Sequence, residues 1–285
     1  MKLTLPEKNK IRKKDLIIYI SIVVICIISV IVSCYVQFHD QIDETTLVGK
    51  AKSKEFGEKT EEQKELLKAD FDKIFTNNIT GDREEIPKID ETKEIVYTDY
   101  EKKESKLNSY DIEVHIPQIN IDDENIAKCN KEIQDVFRTK TESILKSENK
   151  NVIYTVEYVA NIEDNILSLI IRSNLKEGSS AQRVIIQTYN YDLKNNKEIT
   201  LAEILKNKNI KEQIVQAQIK NTIDLEQKKV KALEELGYTI YSRDSSNDMY
   251  KIENTTEFYL TENTLYIIYA YGNETFTSEM DIVII

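Results

Sequence analysis

Few residues in this chain have the type and spacing that chemistry requires. The three cysteines are Cys26, Cys34 and Cys129. The first two lie inside an uncharged apolar run, so Cys129 stands alone beyond it and closes no intrachain disulfide there. Its place on the apolar face of a predicted helix marks it as a buried thiol. The two histidines are His39, next to the apolar run, and His115, within a predicted strand. No G-x-S-x-G, H-E-x-x-H, P-loop or paired-cysteine spacing occurs. Aspartate and glutamate together number 50, yet none stands out as an acid/base pair. The cluster Asp122-Asp123-Glu124 has two readings, as ligands for a cation or as the opening of a helix. Acidic residues satisfy free N–H groups and the dipole at a helix start, which favours the second. Tyr154, Tyr158, Tyr189, Tyr191, Tyr259, Tyr266, Tyr269 and Tyr271 would form either a carbohydrate-stacking surface or a packed core. Their alternate positions on half-buried strands favour packing. The expectation is a protein that is not an enzyme and holds neither a metal nor another cofactor.

The apolar run extends from Leu16 to Phe38 and contains no charged residue. As a helix it would rise roughly 34 Å, enough to cross a hydrocarbon core of about 30 Å. In lipid a lone segment must pair its backbone groups internally, so its many β-branched residues do not argue against helix. Lys2, Lys8, Lys10, Arg12, Lys13 and Lys14 precede it, whereas no Lys or Arg follows it until Lys50. The basic flank stays in the cytoplasm. The reading is a cytoplasmic tail over 1–15, a transmembrane helix over 16–38, and the remainder outside a bacterial cell membrane. The run is too long for the core of a cleaved signal peptide, and no A-x-A-like site follows it. A second reading stays open: Ile31-Val32-Ser33-Cys34 loosely fits a lipobox, which would make Cys34 a lipidated residue. Span length favours the helix. Both readings tether the bulk of the chain to a lipid bilayer.

Charge divides along the chain. The whole carries 39 basic and 50 acidic side chains; without the six basic and two acidic residues of the tail, 33 and 48 remain, a net of −15 outside. Such a surface repels nucleic acid and favours cationic partners. With no disulfide framework, the outer part must be stabilised by an ordinary core.

Residues 39–93 read as a tether. Within it Thr60-Glu61-Glu62-Gln63 forms a capping box, and Leu67, Phe71, Ile74 and Phe75 share one face of a stalk helix over about 60–76. That face packs on the domain or pairs with a second chain, so the oligomeric state stays open. Residues 77–93 carry Gly81, Pro87 and many charges, and look like a linker. The compact domain spans 94–285. Strands are predicted over 95–97 and 110–116, the second ended by Pro117. A helix follows, with Ile126, Cys129, Ile133, Val136 and Phe137 on one face. Strands over 152–159, 166–172 and 184–191 then form an antiparallel meander. Thr200-Leu201-Ala202-Glu203 is a capping box for a short helix, a longer helix spans about 210–236, and Gly237 suits its C′ position. A hairpin over 257–271 and a strand over 280–285 close the chain. Strands and helices are grouped and do not strictly alternate, which predicts an α+β domain with a largely antiparallel sheet and two main helices.

The order from Asp111 to Ile285 resembles the extracytoplasmic domain of the anti-sigma-V factor (RsiV) family, also found ahead of the catalytic domain in some polysaccharide deacetylases. The carrying features are IPQI at 116–119 followed by NIAKCNKEIQDVF, the YTVEY…NILSLII hairpin, YNYDLKNNKEITLAEIL at 189–205 and EFYLTENTLYIIY at 257–269. The resemblance implies a sensor or binding domain at the cell envelope, with lysozyme, a cationic wall-active protein, or peptidoglycan as its ligand. The alternative it implies is an anti-sigma factor holding an envelope-stress sigma factor inside, for which a 15-residue tail is short. The family often carries a Gly-Gly-Ala-His loop between the second and third meander strands. The corresponding candidate ligand loop here is Gly178, Ser179, Ser180, Ala181 and Gln182, without histidine. The family's glycine-containing segment after the late strand pair is reduced to Tyr271-Gly272-Asn273.

Overall fold

The alternating apolar runs of the central sequence become three long strands, β4 (Val152–Glu163), β5 (Ile166–Glu177) and β6 (Arg183–Asp192), paired antiparallel. Asp164 and Asn165, with φ of 50° and 61°, make the two-residue turn between β4 and β5. Aspartate and asparagine tolerate this left-handed region, which a tight hairpin of matching twist requires. The structure is a computed structural model and describes residues 59–82, 86–148 and 150–285. The expected membrane helix at 16–38, the lipobox at Cys34 and the tail lie outside these residues. No described helix is long and apolar enough to cross a membrane.

Among the described residues, seven strands form the larger sheet. β2 (Val96–Lys106), β3 (Tyr110–Ile119), β4, β5, β6 and β7 (Lys197–Glu198) lie in that order, and β1 (Ile79–Gly81) also pairs with β4. A smaller sheet has the order β10 (Met280–Ile284), β9 (Leu265–Ala270), β8 (Phe258–Leu260). The class is α+β and the pairing mostly antiparallel, as expected. The pairs β3–β4 and β1–β4 are parallel. The first arises because α2 (Glu124–Ile133) and α3 (Thr139–Lys146), continuous through the π-helical turn Gln134–Arg138, carry the chain back across the sheet face.

Several sequence expectations change. Pro117 does not end its strand; β3 continues to Ile119 because the register shifts between Thr98 and Tyr100, and this irregularity accommodates the missing N–H. The charged stretch after Tyr97 is the outer strand β2, whose lysines Lys102, Lys103 and Lys106 suit an exposed sheet edge. Packing also reaches further towards the N-terminus than residue 94. The linker region supplies β1, and Asn77 exchanges backbone and side-chain hydrogen bonds with Tyr158 (2.8 and 3.0 Å). The stalk segment is α1 (Glu61–Ala69) with a 3-10 turn at Phe71–Ile74. Its face packs on the domain: Phe71 and Phe75 are buried beside Val159, Ile170 and Tyr266.

The remaining helices are those the caps announced. Thr200 and Glu203 close a capping box at α4 (Leu201–Asn207). α5 (Glu212–Glu235) buries Val215, Ile219, Ile223 and Val230, and Gly237 follows at φ 89°. One core lies between the large sheet and α2–α3, a second around α4, α5 and the inner face of the small sheet, and a third between the two sheets and α1.

A polar seam joins the sheets. β8 is the edge of its sheet, so Phe258 and Leu260 point their N–H and C=O groups away from β9. All four are met by side chains of the large sheet. Thr188 Oγ1 accepts from Phe258 N (3.2 Å) and Asn190 Nδ2 donates to Phe258 O (2.9 Å). Ser168 Oγ accepts from Leu260 N (3.0 Å) and Asn161 Nδ2 donates to Leu260 O (3.2 Å). Ser168 Oγ also donates to Asn190 Oδ1 (2.5 Å). Nearby, the chain from Tyr271 to Thr277 closes the free edge of β6. Asn273 pairs its side-chain amide with Ile186 N and O (3.0 and 2.7 Å), and Val184 N donates to Thr277 O (3.1 Å). Gly272 permits this approach: a Cβ there would lie 1.8 Å from Val184 O.

Two stability predictions follow from these contacts. Ser168→Ala leaves the buried Leu260 N–H unpaired and costs about 1–3 kcal/mol. Gly272→Ala forces β6 and the 271–277 segment apart and costs about 1–3 kcal/mol, the range of core overpacking. Urea unfolding of both variants checks them; either variant unfolding with the wild-type midpoint refutes its contact as described.

Candidate functional site

The sequence-derived ligand loop, Gly178 to Gln182, is the exposed turn between β5 and β6. Gly178 takes φ 59° and its N–H donates to Asn151 O (3.1 Å); Gln182 donates to Asn174 (3.3 Å). No other candidate group gathers there. The acidic cluster at 122–124 is a helix start: Asp123 is the N-cap of α2 and accepts from Asn125 N (2.8 Å) and Ile126 N (3.2 Å). His115 sits in β3 opposite Glu101. Seven of the eight tyrosines are buried, with only Tyr189 of intermediate exposure, so they do not form a stacking surface.

The chain does possess a cleft, at the other end of β6. It encloses about 510 Å³ between α2, the end of β6, the turn into α4 and residues 252–258. Ile126, Leu167, Ile199, Ile252 and Phe258 give it an apolar floor, and Thr188 and Asn190 belong to the polar seam below. The helix pattern brings Cys129 and Glu132 to this side of α2. The capping box at Thr200 and the short strand β7 hold Glu198 on the facing wall.

Three carboxylates, Glu132, Glu198 and Glu253, line the cleft, and among the described residues no lysine, arginine or histidine does. The hydroxyls of Tyr189 and Tyr191 are buried, the first beside the carboxylate of Glu132 and the second beside that of Asp123. Tyr191 is only 3% exposed. Burial pushes the Tyr189 hydroxyl above the usual phenolic range, and the negative charge of Glu132 adds to this. Burial likewise raises Tyr191, with Asp123 adding to it. Burial, then Glu198 and Glu132, push the Cys129 thiol up to about 11, so it stays protonated and is a poor nucleophile near neutral pH.

Beside the cleft, Glu257 precedes β8 and lies against Thr188. Burial raises its carboxyl to about 7; hydrogen bonds from Thr188 and Thr256 oppose this, and Glu132 adds to it. One of its oxygens is buried without a partner. Among the described residues no three His, Cys, Asp or Glu side chains converge as a metal site would require.

Sequence reasoning missed this cleft. Its residues come from α2, β6, β7, α4 and the 252–258 segment, and only the packing of those elements makes them neighbours. The available signal was weak: Tyr189, Tyr191 and Glu198 fall within the stretch that carried the family resemblance.

No protein-family model matches the chain, and no curated protein is similar to it. Among solved structures, one similar to this fold is a DUF3298 family protein from Pseudomonas aeruginosa PAO1. It is 11% identical, with a TM-score of 0.38, over 65% of this chain and 85% of that one. Another is a DUF3298 family member from Bacteroides fragilis, 15% identical, with a TM-score of 0.32, over 56% of this chain and 61% of that one. The structural neighbours are thus DUF3298 family proteins.

Glu257 gives a pH prediction. Its folded value, about 7, exceeds its ordinary value of 4.5. Below about pH 4.5 both folded and unfolded forms are protonated, and the stability present there is lost as pH rises through 7. Glu257→Gln removes this loss. The unfolding free energy of the variant relative to wild type should rise by about 1–3 kcal/mol between pH 4.5 and 7.5. Parallel pH profiles for the two proteins would contradict the assignment.

Proposed function

We propose that this chain is a membrane-anchored, non-catalytic binding or sensing domain on the outer side of a bacterial cell membrane. The observation that carries the binding half is the cleft: it is ligand-sized, acidic and hydroxyl-lined, and it holds no activated nucleophile or nucleophile–base pair. The uncharged run 16–38, with lysines and an arginine before it, supports the anchor. The net of −15 outside the tail, 33 basic against 48 acidic residues, supports a cationic ligand. The resemblance to the RsiV family supports lysozyme as the cationic wall-active protein to try first.

The test is titration of the full chain in detergent with lysozyme. Binding is expected at about 20 mM salt and should weaken at least tenfold by about 200 mM, because screening shortens the reach of the acidic surface. No binding at low salt would remove lysozyme as the ligand.

A further inference from the structure

We propose that Glu257 is a proton-operated latch on the edge of β6: carrying a proton, its carboxyl pairs with the backbone of Thr188 as the Asn273 amide pairs with that of Ile186, and on losing the proton it swings out towards water and leaves this backbone exposed. The latch forms part of the wall beside the cleft and needs no ligand to work.

The edge of β6 decides where such a latch is needed. In an antiparallel strand the N–H and C=O groups of alternate residues point the same way. Those of Val184, Ile186 and Asn190 point away from β5. Val184 N donates to Thr277 O (3.1 Å), the Asn273 side chain meets Ile186 N and O (3.0 and 2.7 Å), and Asn190 O accepts from Ile199 N (3.0 Å). Thr188 falls in the same series, so its N–H and C=O face this edge between Asn273 and β7. The carboxyl of Glu257 lies within reach of the Thr188 backbone and hydroxyl. Both chain neighbours of Glu257 are fixed to that hydroxyl, which donates to Thr256 O (3.2 Å) and accepts from Phe258 N (3.2 Å). The Glu257 carbonyl accepts from Ile268 N (2.9 Å). The backbone of Glu257 is therefore pinned, and its side chain is the part that can move.

The surroundings decide which form stays there. Glu257 Oε1 accepts from Thr256 Oγ1 (3.3 Å), while Oε2 is buried without a partner. The residue also lines a small cavity of about 120 Å³ with Ile268, Tyr269, Ala270 and Asn273. The titratable groups around it are Glu132 from α2, Tyr189 from β6, Glu253 from the turn Ile252–Asn254, Tyr269 from β9 and Glu274 from the edge cover. Each is neutral or negative, and among the described residues no lysine, arginine or histidine lines either this cavity or the cleft. Nothing there offsets an ionised Glu257, and burying an unpaired carboxylate is costly. A protonated carboxyl presents one donor and one acceptor, the same pair as the Asn273 amide. Loss of the proton removes the donor and leaves a charge that water stabilises better than this site does. Burial, with Glu132 adding to it, holds the carboxyl at about 7, so both forms of the latch are populated near neutral pH.

The experiment follows backbone amide exchange of the full chain in detergent, read at single residues and expressed as protection relative to an unstructured peptide at the same pH. Protection of the Thr188 N–H should fall about tenfold or more between about pH 5.5 and 8.5, while that of Ile186, held by an amide that does not titrate, stays constant. Glu257→Gln supplies a donor and an acceptor at every pH and should keep Thr188 protected throughout. Glu257→Ala supplies neither and should leave Thr188 poorly protected throughout. Constant protection of Thr188 in the wild type overturns the latch without recourse to any variant. A fall of wild-type size in Glu257→Gln also overturns it, because another group would then be titrating. So does a parallel fall at Ile186, which would mark loosening of the whole edge.

Discussion

The four hydrogen bonds that the large sheet makes to the outer edge of β8 govern how the rest of the molecule is put together. An edge strand exposes a row of unpaired backbone groups, and burying them unpaired costs several kcal/mol in total. Here the cost is avoided by side chains. Asn161, Ser168, Thr188 and Asn190, from three neighbouring strands, reach the two residues of β8 whose backbone faces away from β9. The same four side chains would be poorly placed in an apolar layer without β8, so each side of the seam requires the other. The register is fixed as well: sliding β8 by one residue would present backbone groups already paired to β9 and leave the seam unsatisfied.

The seam also creates the cleft. Once β8 is set against β5 and β6, the segment leading into it, 252–257, must run along the end of β6 opposite α2. The gap between that segment, α2 and the turn into α4 is the acidic cavity. Glu257 lies at the junction, its carboxyl held against Thr188 on the open edge of β6, which is why burial outweighs hydrogen bonding in its ionisation. Further along the same edge, Asn273 takes over the role of a missing strand. The short Tyr271-Gly272-Asn273 segment, in sequence a reduced glycine-containing stretch after the late strand pair, serves as an edge cover.

A second polar cluster anchors the segment between α5 and β8. Arg243 is 8% exposed and Asp281 4% exposed. Arg243 Nε and Nη2 donate to the two carboxylate oxygens of Asp281 (2.7 and 3.1 Å), and Nη1 reaches Glu279 (3.1 Å). Tyr271 donates to Asp281 (2.5 Å), its hydroxyl meets that of Tyr250 (2.8 Å), and Tyr241 stacks on its ring at 4.1 Å. A buried pair of this kind contributes little net stability compared with apolar packing, yet breaking it leaves a charge stranded. Every member has its partner inside the fold.

Much of the local structure was legible in the residues themselves. The capping boxes at Thr60 and Thr200, Gly237 after α5 and the three meander strands all follow from local rules of hydrogen bonding, dihedral preference and period. The acidic start of α2 and the burial of most tyrosines followed in the same way. The strand continuing through Pro117 was not legible, because the irregularity that tolerates it depends on the partner strand. Nor was the charged outer strand β2, the role of residues 77–81 in the sheet, or the parallel entry of β3 beside β4. The cleft was least legible of all, since Glu132, Tyr189, Glu198 and Glu253 belong to separate elements. Sequence sets what each segment does with its own backbone and which face it hides. Which faces meet, and so which carboxylates and hydroxyls share one cavity, is decided only when long-range packing satisfies polar groups that no local rule can pair.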